Sequence, residues 1–195
     1  MTNLPTWFNN YLQKDKVFFK TNKILKYFSN SNLLLTGKNT KEKRAFIYDM
    51  TMAIKQEDEY LKDIEYINFN NDMEQYKKAE DEFYDFMDKH SYPGSMREEE
   101  NREIKKSHDY YQKINDKLHS DFLIVDNVKN LDNITKQHAF TYDIGKKRAA
   151  YNKKGYITFV ILDTTLDRLV EEIEDEMLKD HCPFYLSFFQ TLDFG

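Results

Sequence analysis

Residues 33–44 read Leu33-Leu34-Leu35-Thr36-Gly37-Lys38-Asn39-Thr40-Lys41-Glu42-Lys43-Arg44. Three consecutive leucines are typical of a strand that is buried on both faces, and the Thr36-Gly37 pair after them predicts a turn. Apolar residues then recur at helical spacing, which predicts an amphipathic helix over residues 45–59. The stretch therefore predicts a buried strand, a glycine turn and a helix in direct succession.

The rest of the chain continues this alternation. Further strands are predicted at residues 64–69, 122–125, 157–162 and 184–189, and helices at 5–29, 72–90, 102–118, 134–152 and 165–180. Continuous apolar strands that alternate with helices are typical of a parallel sheet with helices on both faces. We predict one α/β domain over residues 1–195, with an N-terminal helical segment at 1–30 and an acidic helical hairpin inserted at 72–119. Pro93-Gly94 marks residues 91–101 as the loop of that hairpin.

The composition excludes several classes of protein. The chain carries a formal net charge of −5 and a single cysteine, Cys182, which excludes a disulfide scaffold and zinc sites built on cysteine pairs. The five histidines share no ligand spacing, so we expect no metal site. The longest apolar runs, such as residues 157–162, are far shorter than the roughly 20 residues that cross a bilayer. We therefore expect a soluble cytoplasmic protein with no membrane partner.

The turn after the first strand partly matches a phosphate-binding loop. Such a loop needs a glycine, four residues, and then Gly-Lys-Ser/Thr, so that backbone N–H groups and the lysine surround the phosphates. Gly37 and Lys43 stand at this spacing, but Glu42 replaces the second glycine and Arg44 replaces the hydroxyl residue that binds magnesium. Arginine has no acceptor atom and cannot bind a metal ion. An ordinary strand, turn and helix explain the same residues.

Polar residues also follow the third and fourth predicted strands. Asp126 and Asn127 come directly after one strand, and Asp163 comes directly after the next. Ligands of parallel sheets gather at the carboxyl ends of the strands. The candidate nucleotide-binding residues are therefore Gly37, Lys43, Arg44, Asp126, Asn127 and Asp163.

In this order of elements the chain resembles the AAA+ ATPases of replication origins, namely the DnaC/DnaI helicase loaders and the DnaA-like initiators. The resemblance covers about residues 25–195, and it is carried by residues 33–54, 66–69, 120–128, and 157–165 with Leu169. It implies a phosphate-loop core that holds ATP or ADP. It also implies that Asp126 holds the magnesium-bound water and that Asp163 senses the γ-phosphate.

The departures from the family pattern fall on the residues of catalysis. Glu42 and Arg44 interrupt the loop, Asn127 replaces the carboxylate that polarises water, and Arg168 is the only arginine near the family's arginine-finger position. The chain also stops where a lid domain would follow, so we expect a core without a lid. We therefore expect no catalytic residue and a pseudo-ATPase that binds a replication protein (a helicase, a loader or an initiator) to recruit or inhibit it.

Two surfaces are candidates for binding other molecules. Aromatic residues, which concentrate at protein interfaces, cluster around the predicted hairpin; they are Tyr76, Phe83, Tyr84, Phe86, Tyr110 and Tyr111. A helical hairpin that packs on itself explains the same residues. A basic block before the fourth strand is a candidate contact for DNA phosphates; it comprises Lys146, Lys147, Arg148, Lys153 and Lys154. The overall acidity of the chain weighs against strong DNA binding, and the oligomeric state is left open.

Two alternative functions are compatible with the sequence. One is a nucleotide-dependent ATPase with an atypical phosphate loop, in which Arg44 contacts phosphate and Asp163 or Glu42 replaces the missing base. The other is a plain interaction protein, which a strand order different from that of the AAA+ core would favour. Frequent Asn, Lys, Tyr and Ile with few Gly, Pro and Ala indicate an AT-rich genome, and the small size suggests a phage or a mobile element.

Overall fold

A computed structural model describes residues 4–12, 32–57, 63–89, 98–152, 155–174 and 176–195. The strands are β1 (Asn32–Thr36), β2 (Ile64–Asn68), β3 (Phe122–Val128), β4 (Ile157–Leu162) and β5 (Phe189–Asp193). The helices are α1 (Thr6–Leu12), α2 (Thr40–Glu57), α3 (Phe69–Lys89), α4 (Glu98–Lys117), α5 (Ile134–His138), a π-helix (Ala139–Lys147), α6 (Arg148–Asn152), α7 (Leu166–Glu171) and α8 (Glu176–Leu186).

The five strands form one all-parallel sheet in the order β2-β3-β4-β1-β5. After β1 the chain forms β2 at one edge of the sheet, and β3 and β4 then fill the positions between β2 and β1. The last strand, β5, pairs with the other side of β1. The strand order therefore reverses around β1, and such a reversal is where ligands of parallel sheets bind. The predicted α/β fold with a parallel sheet is confirmed.

Alternate residues of the central strands enter two separate cores. Leu33 and Leu35 face α1 and α2, and they pack in a cluster that contains Ile47. Leu34 faces the other side, in a cluster with Phe140 of the π-helix and further residues of α3, α7 and α8. All three leucines are fully buried because both faces of the sheet are covered. The prediction of helices on both faces is therefore confirmed.

The prediction at the end of the chain was wrong. Residues 184–189 were expected to form the last strand, but α8 continues to Leu186 and the strand is Phe189–Asp193. A short apolar run does not distinguish a strand from a buried helical segment. Cys182 is accordingly buried on a helix rather than in a strand. The single helix predicted over 165–180 is divided between α7 and α8.

The two helices predicted within residues 72–119 are present and pack against each other. The Tyr110 hydroxyl of α4 donates to Gln75 Oε1 of α3 at 2.6 Å, and the rings of Tyr76 and Tyr111 lie 5.8 Å apart. Residues 90–97, and residues 13–31 of the predicted N-terminal segment, lie outside the described residues. None of the helices in the described part of the chain combines the length and the apolar character that a membrane span requires.

Arg148 occupies a structural position in the core. Its side chain is fully buried, and its guanidinium donates to Thr158 Oγ1 and to three backbone carbonyls, those of Leu118, Asp121 and Ile157. Burial lowers the pKa of Arg148 to about 10. These bonds tie the start of α6 to the amino-terminal ends of β3 and β4. The prediction of Arg148 as a DNA contact is therefore wrong, because its charge is enclosed by the protein.

Replacing Arg148 with methionine is expected to destabilise the fold by about 3 kcal/mol, because three buried carbonyls lose a charged donor. Equilibrium urea unfolding measures this difference. Lys146→Met is the matched control, since Lys146 is exposed and its ammonium lies 5.2 Å from the centre of the Tyr142 ring in a cation–π interaction. That control should cost less than about 1 kcal/mol. Equal effects of the two substitutions would contradict the structural role of Arg148.

Candidate functional site

The turn after β1 is short, and helix α2 begins early. Only Gly37, Lys38 and Asn39 separate β1 from α2. The Asn39 side chain accepts the Glu42 N–H at 3.2 Å, which makes Asn39 the cap of the helix. Glu42 is therefore in the first turn of a helix, and three of the five residues between Gly37 and Lys43 are helical. This geometry corresponds to the ordinary strand, turn and helix rather than to an extended phosphate loop.

The segment after β5 lies against this turn. The Lys38 N–H donates to the Gly195 carbonyl at 2.6 Å, and the Phe194 N–H donates to the Thr36 carbonyl at 3.1 Å. Gly37 has a φ of 91°, and a Cβ on it would lie 2.6 Å from a carboxylate oxygen of Asp193. Glycine is required here both by the backbone conformation and by the close approach of this segment.

Lys43 is buried at the point where the strand order reverses. Its Nζ donates to the Gly37 carbonyl at 2.8 Å and to the Leu162 carbonyl at 2.9 Å, so it links the ends of β1 and β4. Burial lowers the pKa of Lys43, and the nearby carboxylates of Asp163 and Asp126 oppose that shift. Lys43 therefore binds the protein's own backbone at the place where a ligand of this fold would be expected.

Asp126 is engaged by two side chains from other elements. Its Oδ2 accepts a hydrogen bond from Arg44 Nη2 at 3.2 Å and another from Trp7 Nε1 at 3.1 Å. The Arg44 guanidinium also lies over the Trp7 ring, 5.3 Å from its centre. The Asp126 side chain is only 5% exposed. Its carboxylate is therefore neutralised within the chain, and the N-terminal helix α1 is docked onto the same pair.

Asn127 adopts a left-handed backbone conformation, with a φ of 62°. It lies in a bulge between Val125 and Val128, so that β3 extends beyond the predicted end of the strand. Its N–H donates to Asp126 Oδ1 at 2.8 Å, and its side-chain amide donates to Asn68 Oδ1 at 2.7 Å. Asparagine tolerates this conformation better than most residues. Asn127 thus orients the other oxygen of the Asp126 carboxylate.

Asp163, directly after β4, and Arg168, in α7, are the remaining residues that the sequence singled out near this site. Desolvation raises the pKa of Asp163, and the charge of Asp126 raises it further, while Lys43 lowers it. Arg168 donates from Nε to Glu172 at 3.3 Å within one exposed turn. The structure brings the six predicted nucleotide-site residues together at the carboxyl ends of the strands. The sequence did not identify Trp7 or residues 193–195 as their neighbours.

A separate cavity of about 290 Å³ lies between α3, α4, α5 and the π-helix, and we name it the hairpin cavity. Its lining residues are Met73, Tyr76, Glu80, Tyr111, Ile114, Ile134, Thr135, His138, Ala139 and Asp143. Two of the six aromatic residues predicted to bind a partner, Tyr76 and Tyr111, line it. They also line an adjoining cavity of about 270 Å³, together with Phe83, Ile104, Ser107 and His108.

The other predicted aromatic residues have different surroundings. Tyr84 is 58% exposed, and its ring lies 5.4 Å from that of Phe83. Phe86 is half-buried on α3, and the Tyr110 hydroxyl is bonded across the hairpin. The residues that the sequence missed, Ile134 and Asp143 among them, come from the segment after β3. Ile134 is a large apolar residue that is 64% exposed, which only the fold reveals.

The basic block does not form one continuous cationic surface. Lys146 is exposed, whereas Lys147 donates to Asn115 Oδ1 at 2.6 Å and Arg148 is buried. Lys153 and Lys154 lie outside the described residues. Of the three members that the structure describes, only Lys146 has the exposure that a contact with DNA phosphates requires.

The comparisons with known proteins give no identification. No protein-family model matches the chain, and no curated protein matches it either. The site must therefore be interpreted from its own geometry.

The contact between Arg44 and Asp126 is expected to couple the two residues by about 1–2 kcal/mol, because the carboxylate is buried and bonded to a charged donor. A double-mutant cycle of Arg44→Ala and Asp126→Ala in urea unfolding measures this energy. The exposed pair Lys78–Glu82, with 3.8 Å between its charged atoms, is the control and should give about 0.5 kcal/mol or less. A coupling energy of zero for Arg44 and Asp126 would show that their contact does not stabilise the fold.

Proposed function

We propose that this protein is a non-hydrolysing AAA+-like protein of DNA replication, encoded by a phage or a mobile element. It acts by binding a replication protein, namely a helicase, a helicase loader or an initiator, which it recruits or inhibits. The resemblance of the sequence to helicase loaders and initiators suggests this setting. The strand order supports it, because AAA+ cores are likewise built on a parallel sheet in which the first strand lies between the fourth and the fifth.

The observation that carries the proposal is the ion pair between Arg44 and Asp126. Magnesium in ATPases is held by oxygen ligands from the residue after the loop lysine and from the aspartate of the third strand. Here the first position is a cation, and it lies 3.2 Å from the carboxylate at the second. A divalent cation would have to break this pair and would meet the charge of the displaced guanidinium. Asn127 adds no general base, so hydrolysis lacks two contributions that are each worth orders of magnitude in rate.

The groups that would contact phosphate are also engaged within the chain. The Lys38 N–H is bonded to Gly195, and the Lys43 ammonium is bonded to the carbonyls of Gly37 and Leu162. A nucleotide bound in the manner of the ATPases would have to replace these bonds. These hydrogen bonds within the chain take the place of the contacts that ATP makes in an active relative. They therefore favour a core that is stable without nucleotide.

The surface of the hairpin supports a role in protein binding. Tyr84, Met87 and Tyr111 are large apolar residues on α3 and α4 that are each more than 40% exposed. Tyrosine and methionine are enriched in protein interfaces, and exposed apolar residues grouped in one region indicate binding sites. Three of the large apolar residues that are exposed in the described part of the chain are therefore on the hairpin, whereas Lys43 and Arg44 at the ends of the strands are bonded within the protein.

We expect no steady-state release of phosphate from MgATP, because the metal position is filled by a guanidinium. Trp7 is the only tryptophan of the chain and contacts both Arg44 and Asp126, so its fluorescence also reports on nucleotide binding. Millimolar MgATP should leave its emission unchanged. The same assays are run on Lys43→Ala and on a control variant, Lys38→Ala, which changes a lysine in the turn before α2. Turnover that Lys43→Ala abolishes and Lys38→Ala preserves would contradict the proposal.

We expect the purified protein to form a complex with at least one replicative helicase, helicase loader or initiator from its host. Size-exclusion chromatography with light scattering measures the complex, and a helicase-loading assay then separates recruitment from inhibition. Addition of ATP should not change the affinity, because nucleotide is not part of the interaction. If the protein binds none of the three classes of replication protein, the replication setting is contradicted.

A further inference from the structure

The hairpin cavity has an apolar interior and an apolar rim. Met73, Ile114 and Ala139 contribute to its lining, while Tyr111 and Ile134 are 41% and 64% exposed. A volume of about 290 Å³ lies at the lower end of the range for small-ligand pockets, so it suits one or two side chains better than a nucleotide. Exposed apolar residues around an apolar pocket are typical of a surface that is covered by another molecule.

The π-helix shapes one wall of this cavity. The Arg148 N–H is shared between the carbonyls of Asp143, five residues earlier, and Gly145, and it does not donate to the fourth residue back as in an α-helix. Wider turns of this kind are rare and occur frequently at functional sites. The segment brings the small Ala139 and the carboxylate of Asp143 to the same cavity. The cavity therefore combines apolar walls with a polar group.

The adjoining cavity extends the apolar surface along the hairpin. Tyr76 and Tyr111 line both cavities, and Phe83 lines the second one. Tyr76 and Phe83 are seven residues apart on α3, which corresponds to two turns and roughly 10 Å. An amphipathic helix presents apolar anchors at i and i+7 over the same distance. We name the two cavities together the hairpin groove.

The charge of the groove is negative. Its lining residues include the carboxylates of Glu80 and Asp143, and they include neither lysine nor arginine. Helix α3, which forms one side, has seven acidic and three basic side chains. The Asp143 side chain is 14% exposed, and His138 Nδ1 lies 3.8 Å from its Oδ2. A cation from another molecule would find a partly desolvated carboxylate beside an apolar pocket.

We infer that the hairpin groove binds an amphipathic helix of the partner protein, with apolar anchors two turns apart and a lysine or arginine beside the anchor in the hairpin cavity. This inference rests on the proposed function and adds the chemistry of the partner segment. The apolar anchors fill the two cavities, and the basic side chain pairs with Asp143 and Glu80. Binding by this mode does not involve the ends of the strands.

Two synthetic helical peptides of about four turns test the charge requirement. Both carry leucine and phenylalanine anchors at i and i+7, and the flanking positions are lysines in one peptide and glutamates in the other. Fluorescence anisotropy with the full-length protein should show the lysine peptide binding at least about tenfold more tightly. Equal affinities of the two peptides, or tighter binding of the glutamate peptide, would overturn the inference.

Matched variants test the location. Ile134→Glu at the rim should weaken binding of the lysine peptide about tenfold or more. Met177→Glu is the control, since Met177 is 67% exposed on α8 and does not line the groove. Glu80→Lys should weaken the same peptide more than Asp81→Lys does, because the neighbouring Asp81 is outside the lining. Circular dichroism and urea unfolding verify that each variant is folded, and Tyr111→Ser replaces Ile134→Glu if that variant is not.

The remaining outcomes separate this inference from the proposed function. If a replication protein binds the wild type and Ile134→Glu equally well, the inference about the hairpin groove is overturned while the proposed function stands. If the lysine peptide binds in the groove but no replication protein binds there, the result supports the inference about the groove and contradicts the replication setting. Self-association of the wild type that Ile134→Glu abolishes would assign the groove to a second copy of this chain, which also overturns the inference.

Discussion

The buried ammonium of Lys43 donates to one carbonyl at the end of β1 and to another at the end of β4, and the candidate site is built outward from it. Because Lys43 lies in the first turn of α2, these two bonds fix the helix at the point where the strand order reverses. The next residue, Arg44, then meets Asp126 at the end of β3. Trp7 packs on the guanidinium and shares the carboxylate, so the position of α1 depends on the same contacts.

At the ends of the strands, the cations of Lys43 and Arg44 are therefore bonded within the protein. In a nucleotide-binding core the lysine would face phosphate, and a hydroxyl residue at the position of Arg44 would bind magnesium. Here Lys43 is bonded to backbone carbonyls and Arg44 to a carboxylate. Elsewhere in the described part of the chain, on α3, α4 and the π-helix, apolar residues are exposed beside carboxylates. Carboxylates in the lining of the hairpin groove favour a basic, amphipathic partner over a polyphosphate at that surface.

Much of the fold could be predicted from the sequence because the central strands are continuous apolar runs, and such runs require cover on both faces. The last strand was misplaced because residues 184–189 are also largely apolar, and the first three of them belong to a helix. The six predicted site residues do gather, since each follows a strand or begins the adjacent helix. Their contacts could not be predicted, because the phosphate-loop pattern would place Lys43 on phosphate, whereas its ammonium is bonded to two backbone carbonyls.

The sequence by itself determined the alternation of strands and helices, the residues at the strand ends and the departures from a phosphate-loop pattern, because all three depend on residue type and on spacing along the chain. Only the tertiary structure decided which charged side chains are hydrogen-bonded within the protein and which are exposed. Arg148 and Lys146 are two residues apart in one basic block, yet one is enclosed by four hydrogen bonds and the other is exposed. The hairpin groove also required the fold, since it unites residues from α3 with residues more than 50 positions later in the chain. Burial and the meeting of distant segments are properties of packing, and periodicity along the chain does not encode them.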